Sequence, residues 1–469
     1  MTNLRSIELS LIAIIFSFGL VILNVSSEIT NLPIFEFRNG IEYVTNSFSL
    51  TLLIFILFTF YLYSFKRFLS IKTLPLYLLA FFIPFKFINI SFAGLSITEL
   101  DLVLFSYIIL QIFSNREIRF SPLIFLTAVI LILVLIISSI MAENRINSFI
   151  SLIYLIYPIS AFFIFSNLKK TEILFFINIF YIFSFFAAIV ALYISSSFLA
   201  DGKFTAVAGV FKNSNSFGTY LSFSIFVGAY RIYLSPRLSI KILESIIYLI
   251  IIFAFIGSMS RSSYLGVFFG FLIYFFYRVD LTNVKGFVLN VRSFLAYGFT
   301  AFVLVALFPD NFAIEKFFTL LQSILSPFSY SSTFSSNSDR IILYSIAYDI
   351  FSQNIFFGSG TGSFREISIQ YPMLSIDLYG YSAHSSLLQL LAENGLISLI
   401  SLAFLLLFIL SDSLKGKNLR AARLELTILC ITYAFLVQSI TNHSFHIARE
   451  ALLFWMFLSF IYALRKKYA

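Results

Sequence analysis

Apolar stretches as long as a bilayer is thick recur along this chain, and they leave few folds open to it. A helix needs about 20 mostly apolar residues to cross a membrane. Stretches of that kind lie near 7–25, 47–65, 74–92, 97–113, 121–141, 148–166 and 173–199. More follow near 215–234, 240–257, 262–277, 286–308, 396–411, 426–441 and 450–464. Only 11% of the residues are charged, against about 25% in a soluble globular domain, which excludes an ordinary soluble enzyme. Cys430 is the single cysteine, so a disulfide framework and a Cys-based zinc site are excluded too. The expectation is an all-α polytopic membrane protein of about 12–14 transmembrane helices. Pro75, Pro84, Glu99 and Asp101 interrupt the stretches 74–92 and 97–113. The first stretch follows Arg5 but lacks an A-x-A cleavage site, so it reads as a helix rather than a signal peptide.

A net charge of +9 in a soluble protein would raise the question of nucleic acid. Loop position answers it. With the N-terminus in the cytoplasm, 21 of the 31 Lys and Arg fall in inner loops, nine fall outside and Lys86 falls within a span. Of the 22 acidic residues, 15 lie outside. The excess of inner basic residues is the signature of cytoplasmic loops. It sets both termini in the cytoplasm and makes the outer cations Arg261, Arg340, Arg365 and Arg449 conspicuous.

The chain divides into a bundle of about 11 spans over 1–308, an outer loop over 309–395 with short helices, and the C-terminal spans over 396–469. The loop contains a Ser-rich run, SILSPFSYSSTFSSNS, and loops this long are usually functional or disordered. After it, SNSDRIILYSIAYDIFSQN reads as an amphipathic helix with Ser336 or Ser338 as cap and Arg340 in its first turn. A cation there opposes the helix dipole by up to about 1 kcal/mol, so a bound anion or a pairing with Asp339 or Asp349 is needed to explain it.

Arg261 lies in the tight turn GSMSRSSYLG, where a guanidinium can grip phosphate or snorkel to headgroups; Ser258, Ser260, Ser262 and Ser263 add hydroxyls. The turn FGSGTGSF can serve as a backbone nest for phosphate or simply return the chain to the membrane. Tyr371, Tyr379 and Tyr381 offer faces for sugars or for the interface. His384 lies in GYSAHSSLLQLLAENGLISLI, at the start of a helix capped by Ser382 and broken at Asn394-Gly395. A helix N-terminus disfavours imidazolium, leaving a neutral imidazole suited to a general base. His443 and His446 share another outer turn with Arg449 but have no neighbouring carboxylate set for a metal. Glu99 and Asp101 pair near an outer helix end, for metal or for packing. Lys212, Asn213 and Asn215 stand where an outer loop enters a span, for phosphate or as a cap.

The SxSR turn, the helix led by Arg340, FGSGTGSF and AHSSLLQLLAENGLISLI, with the Asn-Ser-Asn entry to a span, resemble the O-antigen ligase/polymerase superfamily over roughly residues 205–410. The resemblance implies a GT-C type membrane glycosyltransferase on the periplasmic (outer) face of a bacterial inner membrane. Its donor would be an undecaprenyl-diphosphate-linked glycan. Its acceptor would be the lipid A-core in a ligase, or another lipid-linked repeat unit in a polymerase. Family roles fall on Arg261 and Arg340 as diphosphate-binding residues and on His384 as the catalytic residue. Lys212, Asn215, Arg365 and Arg449 are candidates to line the same cleft. No cofactor and no metal enters the implied chemistry. AHSS stands where many ligases read His-Asn or His-x-His-Asn, which favours polymerase. A transporter of lipid-linked sugar is the reading from a different class. Transporters place ionisable groups near the midplane, whereas here polar chemistry gathers at the outer surface.

Overall fold

The computed structural model describes residues 73–85, 89–92, 95–113, 120–200, 206–211, 213–278, 335–371, 381–415 and 422–466. The stretches 7–25, 47–65 and 286–308, the Ser-rich run up to residue 334, Lys86, Lys212 and Tyr379 lie outside these residues. The described part is helical apart from one short hairpin, as expected of a polytopic all-α membrane protein. Six of its helices are long and apolar enough to cross a membrane. The chain forms two compact units.

The first unit comprises Met1–Asn115, Thr171–Lys212 and Val227–Ala254. Here the expected span 74–92 is corrected. Helix α1 covers only Leu74–Phe82, strands β1 (Asn89–Phe92) and β2 (Leu95–Thr98) form an antiparallel hairpin, and α2 covers Glu99–Phe113, close to the expected 97–113. At 1.5 Å per residue α1 does not reach across about 30 Å of hydrocarbon. Pro84, which has no N–H to donate, follows directly after the C-cap Ile83. The Asp101 carboxylate accepts from the Thr98 backbone N–H at 2.7 Å and the Thr98 hydroxyl at 2.8 Å, pinning the hairpin to α2.

The same unit contains most of α5 (Lys170–Ala200), the second half of α6 (Ser214–Leu234) and most of α7 (Leu238–Gly257). Arg231, near the end of α6, is buried rather than in a loop. Its guanidinium pairs with Glu244, donates to Asn178 and lies 5.1 Å from the Tyr181 ring centroid. A charge buried among helices needs such pairing, because an unpaired one is costly.

The second unit comprises Arg116–Lys170, Asn213–Phe226 and Phe255–Ala469. It contains α3 (Pro122–Met141), α4 (Arg145–Phe165), the start of α6, α8 (Arg261–Arg278), α9 (Ser335–Gln353), α10 (Phe364–Ser368), α11 (Ser386–Leu414), α12 (Arg423–Thr441) and α13 (Ala448–Lys466). Helix α13 is apolar all round and buried from Ala451 to Leu464, as a central helix should be. It packs chiefly on α4 and α12.

Helices α8 and α12 approach closely because of Gly266 and Gly270. A Cβ on Gly266 would stand 2.5 Å from the Ala434 carbonyl oxygen, and one on Gly270 would stand 2.9 Å from that of Cys430. This is the small-xxx-small packing of membrane helices. Helix α9 is amphipathic as expected. Leu343, Ile346, Ala347 and Ile350 repeat at i, i+3, i+4 and i+7, and they bury one face with Phe364, Ala383 and Ala392.

Candidate active site

The ends of several helices of the second unit meet around residues 335–371 and 381–385. The Gly-rich turn between α9 and α10 lies against the end of α3, where a Cβ on Gly360 would come 2.3 Å from that of Ala142. Glu366 of α10 accepts from Asn147 of α4 at 2.7 Å and from Asn144, just before α4, at 3.3 Å. Arg340 of α9 reaches the Thr441 carbonyl at the end of α12, at 3.5 Å.

The Gly-rich turn is a structural clamp, not a phosphate nest. Its N–H groups are already used: Gly358 donates to the Asn354 carbonyl, Ser359 to Ala392, Gly360 to Glu393, and Gly362 to the Glu393 carboxylate at 2.9 Å. Asn394 adds bonds to Thr361 and Ser138. All of this is possible because α11 breaks where the sequence places the break. Gly395 has φ 73° and ψ −177°, a conformation essentially reserved for glycine, and this frees the carbonyls of residues 392 and 393.

Arg340 is the sixth residue of α9, not in its first turn, because the helix begins at Ser335. The dipole conflict therefore disappears. Among the described residues no ion pair joins Arg340 to Asp339 or Asp349, and its guanidinium points to the helix-end carbonyl instead. Arg261 opens α8 and is half-buried. The serines around it are turned inward: Ser258 donates to Phe255, and Ser260 bonds to Ser262 and Ser263. They form a buried hydroxyl cluster against Gly218, so they do not face an anion beside Arg261. Burial, then the like charge of Arg340, lowers the Arg261 pKa, which brings the two guanidiniums into one electrostatic neighbourhood.

His384 precedes the helix rather than opening it. The cap is Ser385, not Ser382, and its hydroxyl accepts from the Leu388 N–H. His384 itself has φ 50°, a left-handed conformation uncommon outside glycine. Its pKa is lowered to about 4, first by burial and then by Arg340. The imidazole is thus neutral near pH 7, with these two causes rather than the helix end. Tyr381 is exposed with its ring 5.9 Å from that of His384, and the Tyr344 hydroxyl reaches the His384 carbonyl at 3.5 Å.

Sequence reasoning left His443 and His446 unassigned, yet all three histidines of the chain come together. His443 stands edge-on to His384 at 5.4 Å between ring centroids. Burial lowers the His443 pKa to about 3, with His384, His446, Arg365 and Arg340 adding to the effect. His446 is lowered to about 4 by burial and by Arg365. No run of residues signals this convergence, since the turn of His443 is separated from His384 by two long helices. Among the described residues no three of His, Cys, Asp and Glu are disposed to hold a metal ion.

The other candidates divide. Arg365 is exposed at the start of α10, and its charge reaches His443 and His446. Arg449 is the second residue of α13 and half-buried, three residues beyond His446. Asn213 caps α6, accepting from the Ser216 N–H at 2.7 Å, and Asn215 is half-buried in the first turn of that helix. Tyr371 lies against α9 and receives a long contact from Gln353. An apolar cavity of about 180 Å³ opens beside His446 and Ser386, lined by leucines of α3 and α11 and by Trp455 of α13.

Residues 246–403 match the family model Wzy_C, described as O-Antigen ligase. The matched segment contains Arg261, Arg340, Arg365, His384 and Glu393 and ends before His443. The match supports the O-antigen ligase/polymerase superfamily, and with it a multi-pass membrane enzyme of the ligase/polymerase type. No curated protein matches the chain.

Proposed function

We propose that this protein transfers a glycan from an undecaprenyl-diphosphate donor to a sugar hydroxyl, with its site on the periplasmic (outer) face of a bacterial inner membrane. The observation that carries the proposal is geometric: Arg340 reaches the Thr441 carbonyl at 3.5 Å, at the head of the turn whose His443 stands 5.4 Å from the His384 ring. A guanidinium and an imidazole near one another, with Arg261 in the electrostatic reach of Arg340, suit displacement of a diphosphate by a hydroxyl.

The diphosphate leaves without needing a proton, but charge builds on it as the glycosidic bond breaks. Arg261 and Arg340 stabilise that charge in place. The sugar becomes oxocarbenium-like, as in glycoside hydrolysis. His384 accepts the proton of the attacking hydroxyl, a contribution of typically ~10²–10⁴-fold. Attack opposite the leaving group inverts the anomeric carbon, and the scheme calls for no metal and no cofactor. The apolar cavity beside His446 suits the hydrocarbon of a lipid-linked substrate.

We read the enzyme as an O-antigen or exopolysaccharide polymerase, whose acceptor is another lipid-linked repeat unit, because Ser385-Ser386 follow His384 where many ligases carry Asn. The glycan profile of a deletion strain decides this. Acceptor capped with single repeats marks a polymerase; bare lipid A-core marks a ligase. For the site, Arg261→Ala, Arg340→Ala and His384→Ala should each abolish polysaccharide assembly with protein still in the membrane. Full activity in all three would overturn the assignment. Movement of lipid-linked sugar across liposomes without a new glycosidic bond would establish a transporter instead.

A further inference from the structure

The chain on either side of His384 is fixed. Before it, Ser382 and Ala383 are buried, Ala383 in the apolar cluster that covers one face of α9. After it, Ser386 donates through both its N–H and its hydroxyl to the Asn442 carbonyl, each at 3.0 Å, and its hydroxyl accepts from the Phe445 N–H at 3.0 Å. Between these anchors His384 is half-buried, in its left-handed backbone conformation. Its Nδ1 is enclosed with no hydrogen-bond partner among the described residues, so the open edge of the ring is the one that carries Nε2. Beside the imidazole stands Tyr381, 5.9 Å away between ring centroids and tilted by 40°. The neighbouring tyrosines are otherwise engaged, Tyr371 against α9 and Tyr344 at the His384 carbonyl. Tyr381 is 46% exposed, so a ring face next to the open edge of the imidazole is left to water.

We propose that Tyr381 is the platform of the acceptor site, its exposed ring taking the apolar face of a pyranose whose free hydroxyl points to His384. The proposal rests on the glycosyltransferase reading and names the acceptor residue within it. A hydroxyl that gives up its proton to the imidazole lies about 3 Å from it, and the sugar ring that carries the hydroxyl begins only one bond further out. The Tyr381 ring lies in that same range. An aromatic ring offers a large flat surface, and its negative face attracts the C–H groups of a sugar. The sugar class that fits is a hexopyranose whose axial C–H groups gather on one face, as in the gluco and galacto configurations. An axial hydroxyl on that face would lose water against the ring without gaining a hydrogen bond, so Tyr381 discriminates against it. Tyr381 moves no proton; it selects which sugar presents its hydroxyl, while Arg261 and Arg340 serve the donor.

The chain has a single tryptophan, Trp455, and it is buried, so Tyr381→Trp adds an emitter at the platform over a constant background. The probe is the repeat-unit oligosaccharide released by mild acid from the lipid-linked glycan that accumulates in a strain lacking the protein. Added to full-length Tyr381→Trp protein in lipid nanodiscs, it should change the emission saturably, with the wild-type emission unmoved. Emission indifferent to the oligosaccharide would overturn the proposal, and quenching by brominated lipid would then mark Tyr381 as a membrane anchor. With the oligosaccharide as acceptor and the lipid-linked glycan as donor, Tyr381→Ala and Tyr381→Leu should each raise the acceptor KM about 10-fold at unchanged donor KM. Tyr381→Phe keeps the ring face and should stay within about twofold of wild type. An unchanged acceptor KM in the Leu variant would show that bulk suffices and overturn the stacking role. Saturable binding by a protein that forms no glycosidic bond even as wild type would leave the sugar platform standing and remove the glycosyltransferase reading.

Discussion

The imidazoles of His384 and His443 meet edge to face, 5.4 Å between ring centroids, and both are held neutral by burial under the field of Arg340. The charged groups facing His384 are Arg340 from α9 and, in the 442–446 turn, His443 if it were protonated; both oppose a proton on its ring. Activity that needs neutral His384 is therefore lost only as pH falls through about 4, not through the ordinary 6.5. Arg340→Gln removes one of the two causes. The acidic limb of the kcat/KM profile should then shift upward toward 6.5, while burial keeps it below that value. An unmoved limb would show that the base lies elsewhere.

The same shifts have a consequence for stability. In the unfolded chain each histidine takes a proton near pH 6.5, whereas in the fold all three resist it until about pH 4 or lower. Between these limits the unfolded state binds more protons, so stability rises with pH and falls as the solution is acidified. Thermal unfolding in detergent should show a midpoint that declines from pH 6.5 to 4. Replacing His446 with Asn should flatten that slope.

His384→Ala mixes two effects, because a left-handed backbone costs about 1–2 kcal/mol for an ordinary L-residue. Asparagine tolerates that conformation and has no imidazole. His384→Asn should accordingly fold and sediment as wild type yet lose at least about 100-fold in kcat. Activity near wild type would remove His384 from the chemistry.

Which features could be read from the chain follows from the range of each signal. The long helices were legible because twenty apolar residues act locally, and α9 showed its buried stripe at 343, 346, 347 and 350. The break at Gly395 was legible from Asn-Gly. The hairpin after α1 was not, because the apolar count passes over the β-branched Ile90 and Ile97 without regard to their backbone preference. The first-turn position of Arg340 failed for want of five residues of helix ahead of it. The placement of His443 and His446 depends on contacts between α11 and the turn after α12, and no local pattern carries those. The Gly266-x-x-x-Gly270 spacing was on view in the sequence and marks the α8–α12 seam.

That seam gives a direct test of packing. A Cβ at Gly266 would stand 2.5 Å from a backbone oxygen of α12, closer than any relaxed contact. Gly266→Leu should force α8 from α12 and lower stability by about 1–3 kcal/mol, read as a drop of several degrees in the unfolding midpoint. Because Arg261 heads the same helix, transfer activity should fall with it. Val267→Leu, one position round the helix, is the control.

Lysine keeps the charge of arginine but not its two-pronged donor geometry. If Arg261 and Arg340 grip one diphosphate, Arg261→Lys and Arg340→Lys should each reduce kcat/KM for the lipid-linked donor by about 10²-fold. The two losses should not multiply. Once one prong is loosened, the diphosphate shifts and the second substitution has less left to remove, so the double variant falls short of the product of the singles. Initial rates across donor concentration for the four proteins measure this coupling. Full multiplication would mean that the two guanidiniums serve different groups, and the shared electrostatic neighbourhood would then have to be assigned to donor and acceptor separately.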